Sequence, residues 1–559
     1  MLRAAHRRAV TIQLSSLARH TLQRHVFPRD FLGRVCLSTT HVLASSAELS
    51  SYPSMLHPSS LTRSDAQRKT IYALSTPPGK GGVAVTRVSG PEALEVWKRM
   101  VRPYKTRSQP TSWKLERCRI VHPDNPDEVI DDGLSVFFQA PKSFTTEPTL
   151  ELHTHSGRAL LATLLGALSK LPFLRPAEPG EFTRRAFLNG RLDLTQVEGL
   201  ADLIDAETEE QRKIAGRGAW GEVRQVLDEL RNRIIHCLAQ VEALIDFGEG
   251  EDLEDARKEA EVLLARIQSH LTDNRRGEII RSGIKLAIFG PPNAGKSSLL
   301  NFLAQREAAI VTHIPGTTRD VLQLTLDIGG MPVVVADTAG LRKTEDVVEA
   351  IGIVKGIDAI KEADVALCVL SLPDILVPNH DSMDPTYAIR LPEAILDLVA
   401  VPSTYFVLNK ADLLDQDLTS INLAFQQLDD SGPASVHPLL LNDRTWIMSL
   451  SKQEGTSQFL EHFGCELRRL FSIDTLTQTQ GDGKEISNFH APIITRARHR
   501  VHLESACTFL QAFLEFPPED VVLAAEELRY ASHALGKISG AIDVEDILDA
   551  VFRDFCIGK

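Results

Sequence analysis

Apolar positions along the first structured stretch, residues 69–188, alternate or run together over strand-length segments. Such runs, bounded by glycine- and proline-containing turns, are typical of β-strands. They predict strands at 71–74, 83–88, 134–138 and 149–153, and a helix at 160–171. We therefore expect a mixed α/β domain here.

The next stretch, residues 189–283, changes to apolar residues at steps of three and four and contains no proline. Examples are Val223, Leu227, Leu230 and Ile234. This period predicts long amphipathic helices. Helical spacing returns after about residue 494 and continues to the end without a strand pattern. We therefore expect one long-helix domain built from two segments, 189–283 and 473–559, that flank an insertion.

Short buried-strand patterns alternate with helical ones in the insertion, residues 284–472. The predicted strands are 285–289, 333–336, 365–370 and 405–408, and a helix is predicted at 298–303. Alternation of this kind predicts a doubly wound parallel sheet. The proline-rich stretch 373–402 predicts a surface loop with one helix. The fold class is thus a multidomain combination of α/β and all-α units.

Charge and composition narrow the class of protein. The 559 residues carry a formal net charge of −13, which argues against non-specific coating of nucleic acid but leaves room for a local basic patch. The seven cysteines form no CxxC pair, so neither a zinc site nor a redox motif is expected. No run of about 18 apolar residues occurs, and we predict no stable membrane insertion.

The first 68 residues differ from the rest. Seven arginines precede residue 35, where Asp30 is the only acidic residue. An arginine-rich, acid-poor start indicates a mitochondrial transit peptide, followed by a linker, and predicts location in the mitochondrial matrix. A disordered basic tail is the alternative.

A phosphate-binding loop follows the predicted strand 285–289. Residues 290–297, GPPNAGKS, match the pattern GxxxxGK followed by Ser or Thr. Its glycines let backbone amides face the phosphates, Lys296 reaches the β- and γ-phosphates, and the hydroxyl of Ser297 ligates Mg²⁺. The predicted nucleotide-binding residues of this loop are Asn293, Ala294, Gly295, Lys296, Ser297 and Ser298.

Two further motifs occupy strand ends in the order that a guanine-nucleotide site requires. Residues 337–340, DTAG, supply Asp337, Thr338, Ala339 and Gly340 for the Mg²⁺ and γ-phosphate side. Residues 409–412, NKAD, supply Asn409, Lys410 and Asp412 for the base. The Asp412 carboxylate accepts two hydrogen bonds from guanine, and adenine offers no such pair of donors. The fifth motif is assigned to Ser449-Leu-Ser451.

The switch segment between these motifs contains Thr318, which we expect as a second hydroxyl ligand of Mg²⁺. Many GTPases orient the attacking water with a Gln directly after DxxG, but here the position is Leu341. Either hydrolysis is poor or another group takes over this role. Candidates are Asn293, Glu345, Asp346 and Glu349.

Taken together, these residues resemble the tRNA-modification GTPases called MnmE or TrmE in bacteria, and their mitochondrial counterparts. Four segments carry the resemblance: TPPGKGGV (76–83) with RVSG (87–90), RPAEPGEFTRRAFLNGRLDL (175–194), the G motifs with GTTRD (316–320), and the terminal FCIGK (555–559). Among the departures from the family, ELHTHSG (151–157) lacks two usual glycines, so we expect a difference in the local backbone or in the folate pocket.

The resemblance implies an N-terminal domain that binds a tetrahydrofolate one-carbon derivative and forms a homodimer. It implies GTP hydrolysis with Mg²⁺ and K⁺. It also implies joint action with a FAD-binding, MnmG-like partner. Together they would install an aminomethyl-type group, carboxymethylaminomethyl or taurinomethyl, on carbon 5 of the wobble uridine of mitochondrial tRNA.

Position by position, the resemblance implies further roles. The K⁺ ligands would be Asn293, Thr312, Ile314 and Thr317, and the folate contacts would be Arg87, Glu151, Arg191 and Lys559. The catalytic residues would be Glu349, which organises the hydrolytic water, and Cys556, which belongs to the modification chemistry. A plain surface ion pair for Arg87 and Glu151, and a buried apolar role for Cys556, remain the alternatives.

Two other functions compete with this interpretation. A mitochondrial ribosome-assembly GTPase switch would carry an RNA-binding KH domain with a GxxG loop, but the C-terminal block offers only Gly536-Lys-Ile-Ser-Gly540, which is one residue too long. A regulatory scaffold would bind nucleotide and folate without catalysis. The pair Thr318 and Glu349 argues for hydrolysis instead.

Overall fold

The computed structural model describes residues 69–105, 107–247, 253–273, 275–306, 310–312, 323–335, 362–379, 386–389, 404–414, 444–471, 492–517, 520–542, 552, 555 and 558. All of them belong to one compact unit, Arg63–Lys559. No helix in these ranges is long and apolar enough to cross a membrane.

A seven-stranded sheet opens the described chain. Its strands are β1 (Thr70–Leu74), β2 (Gly81–Ser89), β3 (Val101–Pro103), β4 (Glu116–Val121), β5 (Val129–Phe138), β6 (Thr149–Ser156) and β7 (Leu174–Pro176). They lie in the order β3-β4-β5-β6-β2-β1-β7, and only the β1–β7 pair is parallel. Helices α1 (Ala93–Met100) and α2 (Arg158–Ser169) cover one face, because alternate strand residues such as Val88, Cys118 and Leu150 are buried against them.

Helices dominate the two segments on either side of the insertion. They are α3 (Glu181–Leu188), α4 (Leu194–Asp205), α5 (Glu209–Ala219), α6 (Glu222–Phe247), α7 (Leu253–Leu271), α8 (Arg276–Ser282), α12 (Ala497–Glu515) and α13 (Val521–Ser539). The four long ones, α6, α7, α12 and α13, bury their apolar stripes in one shared core, which includes Leu230, Leu263, Leu510 and Leu528. This confirms the predicted helical unit drawn from both flanking segments.

The insertion forms a second seven-stranded sheet. Its strands are β8 (Ile284–Phe289), β9 (Ile310–Thr312), β10 (Gln323–Ile328), β11 (Met331–Val335), β12 (Val365–Ser371), β15 (Thr404–Asn409) and β16 (Thr445–Ile447). In the order β16-β15-β12-β8-β11-β10-β9, neighbours from β16 to β11 are parallel, and β10 and β9 add an antiparallel edge. The described helices are α9 (Lys296–Arg306), α10 (Leu372–Ile375) and α11 (Thr456–Phe471), with a 3₁₀ turn at Ala411–Leu413.

Two expectations need correction. The sheet is mixed rather than purely parallel, because the turn at Gly329 and Gly330 folds β10 back onto β11. The stretch 373–402, expected to be a loop with one helix, also contains β13 (Leu376–Asn379) paired antiparallel with β14 (Thr386–Ile389). The loop was predicted because the prolines were given more weight than the short apolar runs. Proline is, however, tolerated in an edge pairing of this kind.

The second sheet packs against the helices, and the two segments of the chain that border the insertion contact each other. Ile214 of α5 is buried in the core that also holds Leu286 and Val333 of the sheet. Gly277 of α8 lies against the backbone of the returning segment, where an added Cβ would stand 2.2 Å from the carbonyl oxygen of Ile494. The chain therefore enters and leaves the insertion side by side.

Candidate functional site

The phosphate-binding loop joins β8 to α9 at the point where the strand order reverses. β8 has β11 on one side and β12 on the other, so its carboxyl end opens into the crevice typical of nucleotide sites. Gly290 has φ 143° and Gly295 has φ 108°. A Cβ would stand 2.1 Å from the oxygen of Val369 at the first position, and 2.1 Å from Nδ2 of Asn409 at the second. Both positions therefore require glycine.

Lys296 begins α9 and folds back over this loop. Its Nζ donates to the carbonyl oxygens of Gly290 at 3.0 Å and Pro291 at 2.8 Å. Burial lowers the pKa of Lys296. Ser297 and Ser298 are exposed in the first turn of α9, where the helix presents its positive end. The loop can hold a phosphate chain between backbone amides, the ammonium group and a hydroxyl.

Asn409 ties the base motif to the phosphate loop. Its Nδ2 donates to the carbonyl oxygen of Ala294 at 2.9 Å, and its Oδ1 accepts from the backbone N–H of Leu450 at 3.1 Å. Lys410 follows in the left-handed region with φ 66°. Asn409 is buried, so these bonds fix the end of β15 against the loop.

Asp412 lies next to the segment assigned as the fifth motif. Ser449 Oγ donates to Asp412 Oδ1 at 2.6 Å, and Ser451 Oγ donates to Oδ2 at 2.9 Å. The hydrogen bond from Ser449, then that from Ser451, lowers the pKa of Asp412. The side chain is therefore an anionic acceptor at neutral pH, as recognition of guanine requires. Ser449 and Ser451 also place the backbone of Leu450 beside Asn409, which supports the assignment.

Several predicted residues lie outside the described part of the chain. Thr312 ends β9, and only its backbone is described. The remaining ones are Ile314, Thr317, Thr318, Asp337, Thr338, Ala339, Gly340, Glu349, Cys556 and Lys559. The described half of the site is thus the phosphate loop and the base-binding motifs.

The N-terminal sheet brings Arg87 of β2 opposite Glu151 of β6. Arg87 Nε donates to Glu151 Oε1 at 2.9 Å, and the two side chains are 22% and 16% exposed, so this is a half-buried pair rather than a surface one. The Arg87 guanidinium also lies 5.6 Å from the ring centre of Phe144 and 5.7 Å from that of Phe182. Cation and rings together form a cluster, which we call the N-terminal pocket, and the Phe182 ring is fully buried in it.

The same pocket contains the carboxylate of Glu151 and a ring nitrogen of His153 that makes no hydrogen bond to the described residues. Burial opposes ionisation of Glu151, but His153 and Arg87 outweigh it, and the pKa of Glu151 is lowered. His153 Nε2 lies 3.6 Å from Glu151 Oε2 and is buried without a hydrogen-bond partner in the described structure. β6 runs unbroken to Ser156 through positions 154 and 156, where the usual glycines of the family are missing.

Arg191 and the chain terminus approach the same domain. Arg191 Nη1 donates to the carbonyl oxygen of Ser143, next to Phe144, at 2.7 Å. Ser75 Oγ donates to the carbonyl oxygen of Gly558 at 3.0 Å, and an added Cβ on Gly558 would stand 2.1 Å from the oxygen of Leu74. Gly558 of the terminal FCIGK segment thus lies at the end of β1, although Ser75 and Gly558 are 483 residues apart in sequence.

Sequence patterns missed some members of these sites. Phe144, His153 and Phe182 become pocket residues only when β2, β6 and α3 come together, and no local spacing marks them. Gly540, the end of the candidate KH loop, caps α13 with φ 80° instead, so Gly536–Gly540 is a helix end and lends no support to the ribosome-assembly alternative.

A glycine loop at the switch point of a doubly wound sheet, with NKAD held against it by Asn409, defines the class of guanine-nucleotide-binding P-loop proteins. The sequence matches the MnmE helical domain over residues 194–556 and the GTP-binding protein TrmE N-terminus over residues 70–191. The chain belongs to the MnmE/TrmE family of GTPases.

Similar proteins extend over nearly the whole described chain. The mitochondrial 5-taurinomethyluridine tRNA synthase subunit GTPB3 of Danio rerio is 41% identical over 88% of this chain and 93% of that protein. The tRNA modification GTPase MnmE of Parvibaculum lavamentivorans is 41% identical over 88% of this chain and all of that protein. A mitochondrial tRNA modification GTPase of Dictyostelium discoideum is 36% identical over 88% of this chain and 95% of that protein.

Proposed function

We propose that this chain is a mitochondrial GTPase that modifies the wobble uridine of tRNA, acting with a FAD-binding, MnmG-like partner. The group installed on carbon 5 is of the aminomethyl type, carboxymethylaminomethyl or taurinomethyl. The single observation that carries the proposal is full-length similarity to proteins named as tRNA-modification enzymes, two of them mitochondrial. The mitochondrial location in this proposal agrees with the arginine-rich start of the sequence.

The P-loop geometry supports GTP with Mg²⁺. Three features of the loop fit a triphosphate and its cation. They are the glycines that leave no room for a Cβ, the Lys296 ammonium group at the loop carbonyls, and the exposed side chain of Ser297. Lys296 would bind the β- and γ-phosphates, Ser297 would ligate Mg²⁺, and Asp412 would bind guanine. Mg²⁺ when bound neutralises charge that develops on the transferred phosphoryl group.

K⁺ is proposed as the second cation. The side chain of Asn293 is exposed on the phosphate loop, where a monovalent ion would neutralise phosphate charge. Hydrolysis should be several-fold faster in K⁺ than in Na⁺ at equal ionic strength. Replacing Asn293 with Ala should remove most of that difference, and Asn301→Ala, an exposed amide further along α9, should leave it intact.

The pocket of Arg87, Glu151 and His153 fits a folate-type ligand. A flat pterin offers N–H donors to the Glu151 carboxylate, a ring face to the partly exposed Phe144, and an acceptor for His153 Nε2, which has no hydrogen-bond partner among the described residues. The bound tetrahydrofolate derivative would supply the one-carbon unit. Arg87 and Glu151 would hold the ligand, and Arg191 would fix the Ser143–Phe144 wall.

Reconstitution tests the joint activity. The chain, the FAD-binding partner, GTP, K⁺, a one-carbon tetrahydrofolate and a tRNA transcript with wobble uridine should yield a modified nucleoside when glycine or taurine is the amine donor. The proposal is supported if product requires both proteins and GTP hydrolysis. Product formed by the partner alone would contradict it. Light scattering of the isolated chain tests the proposed homodimer.

A further inference from the structure

The outer edge of the N-terminal sheet carries an unusual concentration of positive charge. Eight basic residues and one acidic residue, Glu116, lie between Lys98 and Arg119, in a chain whose formal net charge is −13. We use "basic edge" for the six of them on β3, β4 and their connection. They are Arg102, Lys105, Arg107, Lys114, Arg117 and Arg119.

Strand register places these cations on one open face. β3 is the last strand of the sheet and pairs only with β4, which sets Arg102 opposite Arg119. Arg117 shares that face because side chains two apart on a strand point the same way. The helices α1 and α2 pack on the other face, where Cys118 and Ile120 are buried. The arginine side of this edge is therefore exposed in the monomer.

Nearby carboxylates form ion pairs with only some of these cations. Asp132 pairs with Arg117 at 2.9 Å, and Glu116 lies 3.4 Å from Arg107. Arg102, Lys105 and Arg119 have no carboxylate within ion-pair distance among the described residues, although the Tyr104 hydroxyl links Arg119 to its cross-strand neighbour Asp132. One carboxylate, Asp132, is thus shared by Arg117 and Arg119, and an anionic partner on this surface would gain from the remaining positive charge.

Two exposed aromatic rings lie among the cations. Tyr104 is 49% exposed, and the guanidinium carbons of Arg117 and Arg119 lie 4.7 Å and 5.4 Å from its ring centre. Trp113 is 61% exposed and adopts φ 63°, a conformation that bulky residues rarely take. Its backbone N–H donates to the oxygen of Phe137 at 2.9 Å, and its ring meets Phe138 edge-on at 4.7 Å. The indole is thus held outward in a fixed orientation.

We propose that the basic edge is a contact surface for the tRNA substrate. Arg102, Lys105 and Arg119 neutralise backbone phosphates, and Trp113 stacks on an unpaired base. The inference rests on the proposed function, which supplies tRNA as the ligand. The row of cations favours a polyanion, because each phosphate that a Lys or Arg neutralises releases counterions from the nucleic acid.

The test compares RNA binding by the full mature chain and by a variant with Arg102→Gln, Lys105→Gln, Lys114→Gln and Arg119→Gln. The probe is a fluorescent tRNA transcript with wobble uridine, titrated over a series of salt concentrations. Affinity should fall at least about tenfold near 0.1 M salt, and the slope of log K against log salt should decrease by about 0.7–0.9 for each phosphate that the variant no longer neutralises. Trp113→Ala should lower affinity about tenfold and leave the slope unchanged.

The matched control neutralises four cations of the helical segments, Arg212, Arg224, Lys258 and Arg529, which are 44–65% exposed. It should keep the affinity and slope of the unaltered chain. Equal affinity and slope in the basic-edge variant, or no tRNA binding by the unaltered chain, would overturn the proposal. So would a change in oligomeric state with RNA affinity retained, because the edge would then belong to an interface with a second copy.

GTP hydrolysis separates this proposal from the proposed function. The basic-edge variant should hydrolyse GTP in K⁺ at the rate of the unaltered chain, because none of its positions lies in the nucleotide site. Loss of tRNA binding with hydrolysis retained supports the surface. Failure of the unaltered chain to modify tRNA in the reconstitution would contradict the proposed function whatever the RNA affinity.

Discussion

The nucleotide site and the N-terminal pocket are built in different ways. In the nucleotide site, backbone conformation shapes the binding surface, since Gly290 and Gly295 adopt positive φ and leave no room for a Cβ. In the N-terminal pocket, side chains from separate elements meet, with Arg87 on β2, Glu151 on β6 and Phe182 on α3. A backbone-built site leaves a local sequence signature, whereas a site assembled from side chains does not.

Substitutions should therefore act differently in the two regions. In the nucleotide site only one type of residue fits each position, so a substitution there should have a large effect on nucleotide binding or hydrolysis. A change in the pocket removes one of several contacts, so effects should be graded. We expect the largest effect at Lys296 and the smallest at Arg87.

Lys296→Ala should reduce GTP hydrolysis by about 10²–10³-fold, because one preorganised cation at the transferred phosphoryl group is worth that much. Steady-state phosphate release measures it. Lys285→Ala is the matched control, since Lys285 is an exposed cation near the start of β8, at the end of the strand away from the loop. Comparable rates in Lys296→Ala and Lys285→Ala would remove Lys296 from the phosphate site.

Glu198 tests the contact between α4 and α12, which belong to the two helical segments on either side of the insertion. It is 4% exposed on α4, where Arg498 Nη2 at 3.0 Å and His499 Nε2 at 2.8 Å on α12 contact it. Glu198→Gln should lower the free energy of unfolding by about 3 kcal/mol, because uncompensated charge is left buried. Urea denaturation measures this, with the exposed pair residue Glu209→Gln as control.

The same residue predicts a pH dependence. Burial opposes ionisation of Glu198, but His499 and the arginines outweigh it and lower its pKa from 4.5 to about 2. Since the folded-state pKa is depressed, the stabilisation is complete above about pH 4.5 and is lost as the pH falls toward 2. The Gln variant should lack this part of the acid transition. Identical acid curves for the two proteins would contradict the assignment.

Asp412→Asn should weaken GTP binding about a hundredfold, because an amide cannot accept both guanine N–H groups. Xanthosine triphosphate, which carries an acceptor oxygen at carbon 2, should gain affinity. Competition for a labelled nucleotide measures both. Ser451→Ala, which removes only a hydroxyl donor to Asp412, is the control and should change GTP affinity far less.

Arg87→Ala should weaken binding of a formyl-substituted tetrahydrofolate about tenfold, the scale of one charge-assisted hydrogen bond. Calorimetry measures it, and GTP hydrolysis should be unchanged. Arg99→Ala, which removes an exposed cation of α1, provides the control. An unaltered folate affinity in Arg87→Ala would place the ligand elsewhere.

The sequence predicted strands correctly where a short apolar run is also buried in the folded structure. The strands that lead into the GPPNAGKS and NKAD motifs are short apolar runs, and β8 and β15 lie there. It erred where pairing is tertiary, as in β10 against β11 and β13 against β14. It named Arg87 and Glu151 through family resemblance, but His153 and Phe182 required the folded sheet, because their neighbours are distant in sequence.

Mass spectrometry of wobble uridines in mitochondrial tRNA, from cells that lack this chain, tests the proposed function most directly. We expect an aminomethyl-type modification to disappear, to return when the unaltered chain is expressed, and to stay absent with Lys296→Ala. The mass of the restored group also identifies the amine donor. Survival of the modification in cells without the chain would contradict the proposed function.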